Sequence, residues 1–233
     1  MYLRLNIKAL LYLRLLNMID SFRHKGLRAN LVKELESKGI KNKAVLEAIN
    51  TVPRHLFLDN AFADWAYKDQ AFQIACEQTI SQPYTVARQT ELLEPEPTDM
   101  VLEIGTGSGY QASVLSHLVK KVYSIERHRL LFENTSKLLD KLGYGGIRTL
   151  YGDGYLGAPR FAPFDKILIT AAAQEIPKVL LDQLKVGGFM VIPIGGDRIQ
   201  TMVRITKTAE EEYKKEEFGK YSFVPFISGV KNY

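Results

Sequence analysis

Three glycines at alternate positions, Gly105, Gly107 and Gly109, follow an apolar run over 100–104, and an acidic residue, Glu103, stands two places before the first of them. Residues of this kind bind rather than react. Glycine tolerates positive φ and lets a ligand approach the backbone closely, and the amides of a helix that starts at once are free to donate. Thr106 and Ser108 lie between the glycines and belong to the same candidate loop. The dinucleotide fingerprint G-x-G-x-x-G needs its third glycine three residues after the second. Here Gly109 follows Gly107 by two, so that match fails. Glu126 stands 21 positions after Gly105 at the end of a second β-like run, where a carboxylate can accept from both hydroxyls of a ribose. Asp153, between Gly152 and Gly154, follows a third such run. There it can accept from an exocyclic amine of adenine, although an isolated Asp-Gly more often marks a turn.

The E-x-G-x-G-x-G form resembles motif I of the class I S-adenosylmethionine-dependent methyltransferases, whose ligand has no pyrophosphate. A second stretch, Gln78-Thr79-Ile80-Ser81-Gln82-Pro83-Tyr84-Thr85-Val86-Ala87, precedes the loop. By itself it reads as a polar turn with a proline and hydroxyls. Together with Val-Leu-Glu-Ile-Gly-Thr-Gly-Ser-Gly-Tyr at 101–110, it closely resembles the protein-L-isoaspartate O-methyltransferases. Val52-Pro53-Arg54 with Phe57, Gly152-Asp153-Gly154, Phe164-Asp165, the 170–173 and 175–177 stretches, Val191-Ile192-Pro193 and Phe223-Val224-Pro225 extend the likeness over roughly 20–228. The resemblance implies that Ser81 is the active-site serine and that Gln78, Thr79 and Ile80 line the cofactor pocket with it. It also makes Glu103, Gly105, Thr106, Gly107, Ser108, Gly109, Glu126, Asp153 and Gly154 the positions that bind S-adenosylmethionine, with S-adenosylhomocysteine as product and no metal. The sequence departs from the family pattern at Cys76-Glu77, where a small, glycine-containing pair is expected, and at Ile227, where some relatives carry a polar residue.

The implied reaction is methylation of the free carboxylate of an L-isoaspartyl residue in a damaged protein or peptide. The ester then closes to a succinimide that reopens in part to aspartate. Such a carboxyl has an ordinary pKa near ~4 and is already ionised at neutral pH, so the chemistry needs no dedicated base. This agrees with the lack of a His/Asp/Ser constellation; His24, His55, His117 and His128 are expected to be surface or packing residues. Ser81 is expected to orient the attacking oxygen or the methyl donor by hydrogen bonding.

Elements must place these residues along one rim. Residues 100–104, 122–125, 147–151, 166–169 and 189–194 read as strands, and helical spacing follows the glycine loop and again over about 129–142. Pro177 is placed to open a further helix and Gly187-Gly188 to close it. Residues 201–205 and 221–227 form two late β-like runs, and 27–49 holds two short amphipathic helices split near Gly39. The aromatic residues Phe62, Trp65, Tyr67 and Phe72 form either a side wall to the ligand or core under a loop. The expected fold is a doubly wound α/β, mostly parallel Rossmann-like methyltransferase sheet with an N-terminal helical cap and late antiparallel strands. Residues 18–98 supply the helices and active-site loop and 99–233 the cofactor-binding core, as one globular domain.

The 233 residues, 46% apolar and 24% charged, suit an ordinary globular domain. A single cysteine, Cys76, excludes an internal disulfide framework or a cysteine-rich zinc site and fits a cytoplasmic setting; it is expected to be a packed side chain. The net charge of +5 is confined to the N-terminus: residues 1–60 hold 11 Lys/Arg against 5 Asp/Glu, and the remainder holds 20 against 21. No phosphate-tracking surface is therefore expected on the catalytic part, and no nucleic-acid partner. A methyltransferase acting on nucleic-acid amino groups is disfavoured further, because Thr170-Ala171-Ala172-Ala173 replaces the Pro-Pro-Tyr/Phe signature of such enzymes. A binding domain without turnover is disfavoured by the intact 78–83 loop. The partners expected are isoaspartyl peptides and damaged proteins, with no membrane and no obligate protein partner, and the chain is expected to be a monomer. Residues 1–17 are apolar and basic, too interrupted for a membrane span or a signal peptide. They read as an extension upstream of a start at Met18.

Overall fold

The computed structural model describes residues 20–196 and 198–232, and the extension at 1–17 and the start at Met18 lie outside the described residues. Two helices open the described chain, α1 (Phe22–Ser37) and α2 (Lys43–Thr51). Asn42 caps α2 by accepting from the amides of Ala44 and Val45, which satisfies two of the donors that a helix start leaves free. A two-stranded antiparallel ribbon, β1 (Phe72–Gln73) with β2 (Thr79–Ile80), leads into α3 (Pro83–Leu93), whose first position is a proline. There its missing amide costs no hydrogen bond.

The main sheet follows: β3 (Met100–Ile104), α4 (Tyr110–Ser116), β4 (Lys121–Glu126), α5 (Arg129–Lys141), β5 (Arg148–Tyr151), β6 (Phe164–Ile169), α6 (Lys178–Asp182), β7 (Leu184–Gly195), β8 (Gln200–Ala209) and β9 (Glu212–Tyr221). Strand order is β5-β4-β3-β6-β7-β8-β9; β3 to β7 run parallel, while β7–β8 and β8–β9 pair antiparallel. The expected doubly wound sheet with late antiparallel strands is the observed one. The chain winds outward from β3 through β4 and β5, then returns to place β6 on the other side of β3. The carboxyl ends of β3 and β6 are thus a topological switch point, where ligands bind in such sheets. The apolar runs seen in β3 and β6 belong to strands covered on both faces. Leu31 and Leu35 from α1, Val45 and Ile49 from α2 and Leu93 from α3 share one core with Val101, Leu115 and Met202, which fixes the helical cap against the sheet.

Three local expectations are corrected. Residues 221–227 are not a strand. Only Tyr221 belongs to β9, and the following residues leave the sheet: the Ala172 amide donates to Val224 O at 2.8 Å, and the Phe226 amide to Ala172 O at 2.7 Å. The strand that does exist, β9, reads Glu-Tyr-Lys-Lys-Glu-Glu-Phe-Gly-Lys-Tyr. As an edge strand with polar side chains on both faces, it lacks the alternation that a half-buried strand shows. The helix after Pro177 ends at Asp182, not at Gly187-Gly188, which lie inside β7. Gly188 is there because β6 and β7 shift register between Phe164 and Lys166; a Cβ on Gly188 would sit 2.5 Å from the Asp165 carbonyl. Lastly, α4 stops at Ser116, and Leu118 and Val119 pack from the turn behind it.

Candidate active site

The loop after β3 is held open by its own backbone. The amides of Gly105 and Thr106 both donate to Ile125 O, at 2.9 and 3.2 Å. From the neighbouring strand, Thr170 Oγ1 donates to the carbonyls of Ile104 and Gly105, at 2.9 and 3.0 Å. Gly105 has φ +100°, and a Cβ there would lie 2.5 Å from Thr170 Oγ1, so this turn admits no side chain. On the far side Thr135 Oγ1 donates to Gly107 O at 2.6 Å. Gly109 caps α4, whose first residue, Tyr110, is buried.

Glu126 comes to the loop from the end of β4. Its Oε2 accepts from the Gly107 amide and its Oε1 from the His128 amide, both at 2.9 Å. Each oxygen keeps a lone pair for a ligand hydroxyl. Beneath the loop, Glu103 is fully buried: Ser124 Oγ donates to it, and Thr106 Oγ1 lies 2.6 Å from the same hydroxyl. Burial pushes the Glu103 carboxyl up to about 8, although the Ser124 hydrogen bond pulls the other way. At neutral pH it is protonated. A charged carboxylate in that position would have no counter-ion among the described residues.

A pocket opens at this switch point, the place where such sheets bind small molecules. Gln78, Thr79, Ile80 and Ser81 form one wall, Gly105 to Ser108 and Tyr110 a second, Glu126 to His128 a third, and Gly154 with Thr170 the floor. Residues 224–227, after the chain has left the sheet, complete the lining as a strap. Of the thirteen expected site positions, Glu103, Gly109 and Asp153 do not reach the lining. Glu103 and Gly109 sit behind the loop. Asp153, like Glu126, accepts one main-chain amide on each oxygen: Oδ1 from Tyr155 at 2.9 Å and Oδ2 from Gly229 at 2.6 Å. Gly154 touches the site because a side chain there would meet Ile104 and Phe226.

A second, more open groove adjoins the first; Thr79, Ser81, Thr170 and Val224 line both. Ser81 therefore stands in the shared wall, and its hydroxyl makes no hydrogen bond among the described residues. Its loop is anchored from behind, where Arg54 Nη2 donates to Ser81 O at 2.9 Å. Asp69, buried, accepts from the Tyr84 amide at 2.7 Å and from Gln82 Nε2 at 3.1 Å. The pair before this loop, Cys76 and Glu77, holds left-handed φ values of +59° and +57°. This is the conformation that the glycine-containing pair of the family pattern would take up without strain. Cys76 is half-buried, and burial, then the Glu126 carboxylate, push its thiol up, away from the reactive thiolate.

Sequence reasoning gives Arg54, Asp69, Thr170 and the strap no place in this site. Arg54, Thr170 and residues 223–225 stand out only as parts of the family-like motifs, and nothing in the sequence sets Asp69 apart. The histidines divide. His55 is buried, its Nδ1 2.7 Å from the Tyr67 hydroxyl and its ring stacked on His24 at 3.8 Å. With Asp20 these two form a group of possible metal ligands, but Arg28 occupies both Asp20 oxygens at 3.0 Å. His128 is buried and lines the pocket; burial lowers its pKa, so the ring is neutral at pH 7. Among the aromatic residues, Tyr67 and Phe72 are buried, whereas Trp65 is 52% exposed and does not reach the pocket.

Residues 27–231 match the sequence profile of the protein-L-isoaspartate(D-aspartate) O-methyltransferases. The protein-L-isoaspartate O-methyltransferase of Christiangramia forsetii is 54% identical over 210 residues, covering 90% of this chain and 98% of that one. That of Flavobacterium psychrophilum is 55% identical over the same length and shares. A solved protein-L-isoaspartate O-methyltransferase superposes with a TM-score of 0.79 at 28% identity, over 87% of this chain and 67% of its own. A Plasmodium falciparum protein solved with S-adenosyl-L-homocysteine shares the fold, with a TM-score of 0.74 at 23% identity over 86% of this chain and 98% of its own.

Proposed function

The chain belongs to the protein-L-isoaspartate(D-aspartate) O-methyltransferase family, and on that premise we propose that Ser81 orients the carboxylate it methylates while the 105–108 loop and Glu126 hold the donor. The enzyme repairs isoaspartyl sites in damaged proteins, with S-adenosylmethionine as donor. The observation that carries the assignment is the shared wall: a pocket and a more open groove meet at Thr79, Ser81 and Thr170.

The residues of the pocket fit a nucleoside with an amino-acid arm. The 105–108 loop presents its backbone to the lining, and Glu126 brings there a carboxylate whose oxygens each keep a lone pair for a hydroxyl of the ligand. S-adenosylmethionine, when bound, supplies an electrophilic methyl on a sulfonium sulfur. The Ser81 hydroxyl donates to one oxygen of the acceptor carboxylate and leaves the other to attack in line. The walls exclude water, and positioning supplies most of the acceleration, because the nucleophile is already charged and no proton has to move. Glu103, Gly109 and Asp153 serve in this reading by shaping the loop and the strap behind the contact surface.

Residues 18–98 and 99–233 act as one unit, supported by their common core. A monomer is supported by the exposed edge β9, whose Lys214, Lys215, Glu216, Glu217 and Lys220 discourage pairing with another strand. No helix among the described residues is long and apolar enough to cross a membrane. With the lone cysteine, this supports work in the cytoplasm on peptides and proteins rather than on nucleic acid or lipid.

The test combines purified protein, radiolabelled donor and matched isoaspartyl, aspartyl and RNA substrates. Base-labile label on the isoaspartyl peptide alone is expected; label in RNA, or none, overturns the reading. Ser81→Ala is expected to keep S-adenosylhomocysteine affinity within about three-fold and to lose at least roughly 90% of kcat. A variant that turns over at the wild-type rate removes Ser81 from the mechanism.

A further inference from the structure

Arg54 heads the largest fully buried side chains, and no carboxylate among the described residues pairs with it. Main-chain carbonyls from two stretches, 66–70 and 81, take its protons: Nε donates to Ala66 O at 2.9 Å, and Nη2 to Ser81 O at 2.9 Å and to Gln70 O at 3.5 Å. The guanidinium lies 4.8 Å from the centroid of the Tyr110 ring. Burial pulls its pKa down to about 10, against the pull of Tyr110, Asp69 and Tyr67, so it stays charged at neutral pH. Nη1 has no partner among the described residues. A buried cation without an ion pair costs free energy that an apolar residue of the same volume would avoid. The fold alone does not account for it.

Its two ends do. Tyr110 is the first residue of α4, directly behind the glycine loop, and it lines the donor pocket. Ser81 stands in the wall between donor and acceptor. A single planar group therefore rests on the donor half and grips the peptide unit that carries the acceptor-side hydroxyl. We propose that Arg54 is a positioning residue for methyl transfer, holding Ser81 in register with the donor half of the site. The proposal rests on the role given to Ser81 above. Arginine suits the task because its rigid fork reaches several carbonyls while stacked on a ring; the compact ammonium of lysine cannot do both. A misplacement of about 1 Å at a reacting centre can cost roughly 100-fold in rate.

The test uses the full chain as wild type, Arg54→Lys and Arg54→Ala. Thermal melting, S-adenosylhomocysteine titration by calorimetry and steady-state methylation of one isoaspartyl peptide are measured on each. In both variants kcat is expected to fall by at least about ten-fold, with KM for the peptide and the S-adenosylhomocysteine Kd each within about three-fold of wild type. Added methylguanidinium is expected to restore part of kcat in Arg54→Ala, a response that a purely structural role would not give. Arg54→Lys keeps the charge and the stem, and it carries the test alone if Arg54→Ala does not fold. A folded Arg54→Lys with wild-type kcat overturns the proposal. So does a kcat that falls only in step with cofactor affinity and melting temperature, without rescue. A wild-type enzyme inert toward every isoaspartyl peptide instead overturns the function assigned above, and this inference with it.

Discussion

Replacing Glu103 by glutamine removes the one titrating proton that the glycine loop buries. In the folded protein this carboxyl is raised from 4.5 to about 8 by burial. Between those two values the unfolded chain has released its proton while the folded chain still holds it. Stability is then lost as pH rises, at about 1.4 kcal/mol per pH unit. The contribution is whole below about 4.5 and gone above about 8. Over the range from pH 5 to pH 8 this amounts to about 3–4 kcal/mol for one fully buried group, a sizeable share of the stability of an ordinary domain. Glu103→Gln keeps the volume and an acceptor for the Ser124 hydroxyl but cannot titrate. Any packing cost of the amide is the same at every pH and drops out of the comparison. Urea unfolding of both proteins at pH 5, 6, 7 and 8, with a shared m-value, gives the difference directly. The variant is expected to gain on the wild type steadily across that range. Parallel curves, with a constant offset between the two proteins, would show that Glu103 is already ionised when folded and refute the reasoning.

Three further outcomes follow from the geometry. Gly105→Ala forces a Cβ to within 2.5 Å of Thr170 Oγ1 at φ +100° and is expected to cost about 1–3 kcal/mol in thermal unfolding and to weaken S-adenosylhomocysteine binding by at least about ten-fold; Thr170→Ala in the same chain should recover part of it, and no recovery would show that the contact is not the cause. Glu77→Gly relieves a left-handed φ of +57°, worth about 1–2 kcal/mol, against roughly 0.5–1 kcal/mol of added unfolded-chain entropy; a net gain of up to about 1 kcal/mol in chemical denaturation is expected, and a loss would mean that the Glu77 side chain makes contacts of its own. Asp153→Ala releases the Gly229 and Tyr155 amides, so hydrogen exchange over residues 226–232 should quicken by roughly ten-fold; unchanged exchange would show that the strap is held elsewhere.

What the sequence made legible is what short-range chemistry dictates. The spacing Gly105, Gly107, Gly109 sits on a strand-to-helix turn because only that turn needs left-handed backbone so often in so few residues. Glu126 was placed by counting, since β4 must start from the end of α4 and run parallel to β3. The strands β3, β6 and the second half of β7 were legible because strands covered on both faces must be apolar throughout. Edge strand β9 was not, because only Tyr213, Phe218 and Tyr221 pack on the cores and the rest of its pattern is charged and solvent-facing.

The sequence by itself determined a glycine loop, a carboxylate and the strands that end beside them, the residues of the proposed donor side. Only the tertiary structure decided the rest. Ser81 and Thr170 are 89 positions apart in the chain, yet both line the wall between pocket and groove. Nothing in the sequence shows what holds Asp153 in place; only the fold sets its two oxygens against the amides of Tyr155 and Gly229. Arg54 carries no periodicity that marks it, and its part appears only once Ala66, Gln70, Ser81 and Tyr110 converge on one guanidinium. The reason is physical. A turn or a buried strand is fixed by residues a few positions apart, whereas the partners of a buried polar group are set by which distant backbone atoms the packed core happens to bring within about 3 Å.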